Sequence, residues 1–219
     1  VNTASANPQD TSFLVNIAIG GSGSEEDIIQ NLMVKGSPAV LGVNLFRFDF
    51  PIQIPAGVRI SANCQSSVTA EIIDVTLIRT YGDLGDEPAL SFIENEGSST
   101  STSEGTTVAR STADTFGSWT EIVASTAECY KGFTVAAQRP PISYNTQTIT
   151  YQVATGSAGN EEIILSGYQV VQGTSEGAVG QVSPFHKVHI PKGVRISIRA
   201  QSDLANADGD LDYSISLGR

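Results

Sequence analysis

Apolar and polar residues alternate along much of this chain with a period of two. Phe13, Val15, Ile17 and Ile19 are separated by Leu14, Asn16 and Ala18, and Val58, Ile60, Ala62 and Cys64 by Arg59, Ser61 and Asn63. Leu211, Tyr213, Ile215 and Leu217 alternate with Asp210, Asp212, Ser214 and Ser216. Successive side chains of a strand point to opposite faces, so this pattern predicts strands with one apolar and one wet face. Such strands build antiparallel sheets packed as a sandwich or jelly roll. The Pro-x-Gly turns at Pro55 and Pro191 should each launch a strand, because Pro fixes φ and Gly accepts the tight geometry.

The pattern also repeats. Ile54-Pro55-Ala56-Gly57-Val58-Arg59-Ile60-Ser61 returns as Ile190-Pro191-Lys192-Gly193-Val194-Arg195-Ile196-Ser197, an offset of 136 residues. The same offset carries Gly20, Gly23, Glu25 and Glu26 onto Gly156, Gly159, Glu161 and Glu162. Beyond it, Ile73-Asp74-Val75-Thr76-Leu77 matches Leu211-Asp212-Tyr213-Ser214-Ile215 at an offset of 138. A tandem duplication accounts for this. The expected fold class is all-β, with two tandem antiparallel, jelly-roll-like β-sandwiches: unit one over 1–82, an acidic Ser/Thr/Gly-rich linker over 83–117 whose Leu90-Ser91-Phe92-Ile93 run could dock as an edge strand, and unit two over 118–219. Unit two opens with two strands, Trp119–Ala127 and Phe133–Ala137, whose equivalents would precede Val1. Unit one should therefore complete its sheet from the linker, from a neighbouring protomer, or from residues outside this chain, since an uncovered edge invites aggregation. An initiator Met removed before Val1, or a start inside a longer gene, would each suit the first residue.

The repeat decides one ambiguous stretch. Ser24–Met33 reads as a capped amphipathic helix, but its counterpart from Asn160 carries Ser166-Gly167 and β-branched residues. A shared fold predicts strand in both, bulged at Gly167, with helix left open for the first copy alone.

Composition narrows the function. The 219 residues carry 12 Lys and Arg against 23 Asp and Glu, a net charge of -11. A duplex-binding surface needs clustered cations, so nucleic acid is not an expected partner. The same sign repels anionic membranes, and no apolar run reaches the ~20 residues of a spanning helix. Two cysteines exclude a disulfide-stapled scaffold. Cys64 aligns with Ala200 and should be a small core residue, and both thiols should be free.

Few residues suggest chemistry. His186 and His189, three apart on a strand, fall on opposite faces and cannot share a zinc ion; they read as surface polar residues. No G-x-S-x-G elbow marks a nucleophile, and a hydrolase is the weakest reading. Gly20–Ser24 lacks the Lys of a phosphate loop and precedes two glutamates, which favours a turn. Asp208, Asp210 and Asp212 alternate oxygens that could coordinate calcium, although Leu217 stands where an EF-hand needs Glu; a solvated loop running into a strand is the alternative, and no other cofactor is expected. Arg59 and Arg195 could each pair across the sheet with an acid such as Asp74 or Asp212. Trp119, Tyr144, Tyr151 and Tyr168 could line a sugar-binding face, as in a carbohydrate-binding β-sandwich module, although Trp119 fits a core position.

The series Trp119–Ala127, the Gly-Ser-Gly-Ser-Glu turn and the Ile-Pro-Ala-Gly-Val-Arg-Ile-Ser string followed by Cys64-Gln65-Ser66 resemble a β module of tailed-phage and prophage virion proteins. The resemblance covers about 1–80 and 117–219, with departures at Asn160 and Lys192 and in the missing opening strands. It implies a non-enzymatic virion structural protein on the particle exterior, as head decoration, cement or fibre/spike module. Such a protein is made in the host cytoplasm. Its implied partners are further copies of itself, other capsid or fibre proteins and host surface glycan, without membrane insertion. No catalytic residues accompany the resemblance.

Overall fold

The computed structural model describes residues 2–4, 12–35, 44–67, 72–79, 89–101, 105–138, 147–171, 181–204 and 211–219. The fold is all-β: the described residues hold strands and no helix. Unit one contributes β1 (Asn2–Ala4), β2 (Ser12–Ile19), β3 (Glu26–Lys35), β4 (Asn44–Leu45), β5 (Ile60–Ser66) and β6 (Ile72–Asp74). Two strands, β7 (Ile93–Glu96) and β8 (Thr106–Val108), lie within the stretch expected to be linker. Unit two adds β9 (Thr120–Val123), β10 (Tyr130–Gln138), β11 (Gln147–Thr155), β12 (Glu162–Val171), β13 (Gln181–Val182), β14 (His186–Ile190), β15 (Ile196–Ser202) and β16 (Leu211–Gly218).

The two units use the same ladders. β2 pairs with β3 and β5 as β11 pairs with β12 and β15. Ile19 faces Ile60 as Thr155 faces Ile196, and Phe13 faces Ser66 as Ile149 faces Ser202. The connecting turns match in detail. Gly20 and Gly156 hold φ of 124° and 114°, and each amide donates to the carbonyl of the repeated Arg, Arg59 or Arg195. A Cβ at either glycine would sit within 2.7 Å of a turn carbonyl oxygen. The Ser24–Met33 stretch is strand rather than helix, as its counterpart predicts. The bulge of β12 falls between Leu165 and Ile163 instead of at Gly167. Gly167 serves another purpose: the Tyr151 ring lies where its side chain would be.

Two apolar clusters fill the interior. One gathers Tyr130, Phe133, Val135, Ile196, Ile198, Tyr213, Ile215 and Leu217 between the β10–β16 sheet and the β12-β11-β15-β9 sheet. The other gathers Phe13, Val15, Ile17, Leu32, Val34 and Phe46 with Leu90 and Ile93 from the expected linker. β7 pairs with β16 on one side and, in parallel, with β3 on the other, which joins both units into one nine-stranded sheet. The Leu90–Ile93 run, the part of 83–117 open to docking as an edge strand, makes this junction, and Leu90, Ile93 and Val108 are buried there.

The wet face expected on the last strand is dry. Asp212, Ser214 and Ser216 are all buried, because β7 and β8 pair with the edge of β16 that β10 leaves free. Thr107 donates to the Asp212 carboxylate at 2.7 Å and Ser216 to the Asn95 carbonyl at 3.1 Å, so these two keep their polarity by hydrogen bonding instead of solvent, whereas the Ser214 hydroxyl has no hydrogen-bond partner.

His186 also departs from a surface role. It is half-buried on β14, its ring centroid is 5.5 Å from that of fully buried Phe133, and its Nε2 has no hydrogen-bond partner. Burial pushes its pKa below the usual histidine value. A lowered folded pKa means that the unfolded chain binds the proton more readily. Stability is then fully present above about pH 6.5 and falls as pH drops through the folded value. His186→Phe, the residue that unit one carries as Phe50, should remove that part of the decline in urea midpoints measured from pH 7.5 to 5. An unchanged profile would exclude His186 as its source.

Candidate functional site

The site is defined by where the two units stop matching. In unit two, β15 pairs with β11 on one side and β9 on the other; Ile196, Ile198 and Ala200 are buried. In unit one, β5 pairs with β2 alone among the described residues. Ala62, Asn63, Cys64 and Gln65 are exposed in consequence. Cys64 is therefore not a core residue, although its counterpart Ala200 is. β15 has β9 on its outer edge, and no described strand lies on that edge of β5. Both cysteines are free and exposed.

Backbone polarity follows the same logic. The Arg59 carbonyl accepts from Gly20, and the Ser67 amide donates to Ser12, so odd-numbered positions of this strand face β2. Residues alternate in direction along an antiparallel pair, which turns the N–H and C=O groups of Ile60, Ala62 and Cys64 outward.

A second gap lies on the opposite sheet. β1 pairs with β6 so that Asn2 faces Asp74, as Gln138 of β10 faces Asp212 of β16. In unit two, β10 runs on from that point along Tyr213 to Leu217. In unit one, Val75–Arg79 has no strand partner among the described residues. Leu77 is 48% exposed and Ile78 83%, while Ile215, the counterpart of Leu77, is 0% exposed.

The repeated arginines report the same asymmetry. Neither pairs with Asp74 or Asp212; the partner is the last glutamate of the glycine turn, one residue before the strand that follows. Arg59 Nη1 lies 2.6 Å from Glu25 Oε1, and Arg195 Nη1 3.2 Å from Glu161 Oε1. Gly23 and Gly159 donate their amides to the same carboxylates. The Arg59 hydrogen bond is the main reason that Glu25 titrates below the usual carboxylate range. Sequence spacing could not show this pairing, because it depends on the glycine turn and the Pro-x-Gly turn meeting at one end of the sheet. Arg195 has a second carboxylate, Glu121 of β9, 2.9 Å from its Nε; its side chain is 16% exposed against 51% for Arg59.

A groove of about 880 Å³ opens beside this edge, lined by Arg59, Ser61, Ala62 and Asn63 and, across it, by Ala127 and Glu128. Glu25, Glu26 and Asp27 give it an acidic wall.

The remaining candidates do not converge on it. Asp208 and Asp210 lie outside the described residues, and Asp212 is buried on β16 under Thr107. No group of three metal-ligating side chains occurs among the described residues. The aromatic residues are dispersed. Tyr151 is buried, Tyr168 is 74% exposed, and Tyr144 lies outside the described residues. Trp119 does not fill the core; it is half-buried beneath the Arg199 guanidinium, 4.4 Å from the ring centroid. His186 and His189 alternate across β14, so they do not share a face. On β7, Glu94 accepts from the Tyr130 hydroxyl at 2.8 Å; burial, then the Glu94 charge, raises the pKa of Glu96.

Comparison with known proteins adds little. No family model and no curated protein matches the chain. Among solved structures, tripeptidyl peptidase 2 (TPP II) aligns at 9% identity and a TM-score of 0.32, over 98% of this chain and 16% of that one. The structure of infectious bursal disease virus Gx strain aligns at 9% identity and a TM-score of 0.31, over 99% of this chain and 57% of the other. The chain spans less than two thirds of either, and at such TM-scores neither likeness carries an argument about fold or role.

Proposed function

We propose that this chain is a non-enzymatic structural component of a tailed-phage or phage-like particle. It sits on the exterior as head decoration, cement or fibre/spike module, where it stabilises the particle or contacts the host surface. The observation that supports the reading is an outward-facing β5 edge and an exposed Leu77-Ile78 pair among the described residues. Open edges are an aggregation hazard unless a neighbour pairs with them, so a protein that keeps one is suited to assembly. The Ile-Pro-Ala-Gly-Val-Arg-Ile-Ser signature supplies the phage context by resemblance. The net charge of -11 suits an outer surface better than contact with packaged nucleic acid.

Two measurements test this. Light scattering after size-exclusion chromatography should show a defined multimer, and gold-labelled antibody should decorate the outside of intact particles. A monodisperse 23.0 kDa species that also fails to associate with particles would overturn the proposal.

A further inference from the structure

We infer that the outer face of the β12-β11-β15-β9 sheet binds a carboxylate-bearing glycan, with Arg199 as the group that takes the carboxylate. Such a site deepens the host-surface contact proposed above and rests on that reading for its setting. β11 and β15 turn Ile149, Tyr151, Val153, Ile198 and Ala200 into the core. The residues between them, Thr150, Gln152, Arg199 and Gln201, therefore share the opposite face. Arg199 stands opposite Gln152, which in turn faces Ser166. Gln201 stands opposite Thr150, which faces Tyr168. Two rows of side chains thus cross the sheet. Ser166 and Tyr168 are exposed and the others are half-buried.

The Arg199 guanidinium is fixed in place yet keeps binding capacity. Its carbon lies 4.7 Å from the Phe116 ring centroid and 4.4 Å from that of Trp119, and its Nε donates to Gln152 Oε1 at 2.8 Å. Nη1 and Nη2 have no hydrogen-bond or ion-pair partner among the described residues. Arg195, on the same face of the same strand, is instead neutralised by Glu121 and Glu161. In a chain of net charge -11, an arginine kept clear of carboxylates is matched to an anion from outside, and its planar fork takes a carboxylate in two parallel hydrogen bonds. The shared ladder does not demand this chemistry. At the equivalent positions of unit one stand Asn63, Asn16 and Leu14 in place of Arg199, Gln152 and Thr150, and Leu14 is buried.

A glycan fits this face better than an acidic peptide. β11 and β15 are paired on both sides, so a peptide backbone finds no strand edge there to pair with. The glutamine amides and the Ser and Thr hydroxyls both donate and accept, as sugar hydroxyls do. Tyr168, 74% exposed, and half-buried Trp119 offer apolar rings for the C–H faces of a sugar. They stand at opposite ends of the rows, three strand spacings or about 14 Å apart, the span of an oligosaccharide instead of a single sugar.

Trp119 is the only tryptophan, so its emission reports on this face directly. The probes are oligogalacturonate and a sialylated oligosaccharide, each beside its carboxyl-reduced form, with polyglutamate as the acidic peptide. Titrated into the full chain, at least one carboxylated glycan should shift the emission saturably and bind at least about tenfold more tightly than its reduced form. Arg199→Gln should abolish that preference, and Arg199→Lys, which keeps the charge without the fork, should retain only part of it. Tyr168→Ala, at an exposed position away from the Arg199 cluster, should weaken both forms alike; it reads the same face if Arg199→Gln proves unstable. Absence of any shift, equal affinity for the reduced forms, or a preference that survives Arg199→Gln would each overturn the inference. Polyglutamate binding as tightly as the glycans would overturn it too, by assigning the face to acidic peptides. Particles labelled by antibody together with a chain that binds no glycan would sink this inference alone. A chain that binds glycan but never labels particles would sink the virion role and leave the site standing.

Discussion

Ile215→Ala should lower the unfolding free energy by about 2–5 kcal/mol, whereas Leu77→Ala, at the matching position of the repeat, should lower it by less than about 1 kcal/mol. Ile215 is 0% exposed in the centre of β16, faces Val135 of β10, and lies in the larger apolar cluster. Removing its side-chain carbons leaves a cavity that the surrounding strands cannot close. Leu77 has no strand partner among the described residues and is 48% exposed, so its truncation deletes few contacts and removes apolar surface from solvent. Urea denaturation of the two variants at low protein concentration measures both. Equal losses would show that Leu77 is covered in solution by something other than this chain's own described strands. Repeating the Leu77 measurement at rising concentration separates the cases: a penalty that grows with concentration identifies contact with a second molecule, and a constant one identifies burial within the chain.

That contrast also shows how far the sequence could be read. Period-two alternation located β2, β5 and β16, and the 136-residue offset turned an apparently helical Ser24–Met33 into a strand. Among the described residues, no strand lies on the outer edge of β5, where β9 lies on that of β15. What alternation could not give is the surroundings of each face. It assigned Asp212, Ser214 and Ser216 to solvent and Cys64 to the core, and both assignments reversed. A strand's pattern records which side chains share a face; whether that face is covered depends on strands far away in sequence. β7 and β8 are short and flanked by Ser, Thr and Gly, so their composition resembles linker even though Ile93 and Val108 are fully buried. The pairing of Arg59 with Glu25 was equally hidden, because the 34 residues between them are brought together only by the ladder itself.

Gly132→Ala should cost about 3 kcal/mol and should not be rescued by making room among the side chains. Gly132 lies opposite Gly218 on β16, and the Phe185 ring lies over both glycines. A Cβ at Gly132 would come within 2.4 Å of the His186 carbonyl oxygen and 2.5 Å of Phe185 Cζ. The ring could turn away at some cost in packing, but the carbonyl belongs to β14, whose pairing with β10 already shifts register between Tyr130 and Gly132. The backbone overlap is the larger effect, and it predicts the outcome of a cycle. Phe185→Ala alone should lose the packing of a half-buried ring, and the Gly132→Ala, Phe185→Ala double variant should recover little of the Gly132 penalty. Recovery of most of it would show that the ring, rather than the close approach of β14, is what requires glycine there. Chemical denaturation of the two single variants and the double gives the coupling directly. The aromatic cover and the narrow strand separation act together only because β10 is flanked by β14 and β16 at the same residue, near the end of the nine-stranded sheet opposite β5.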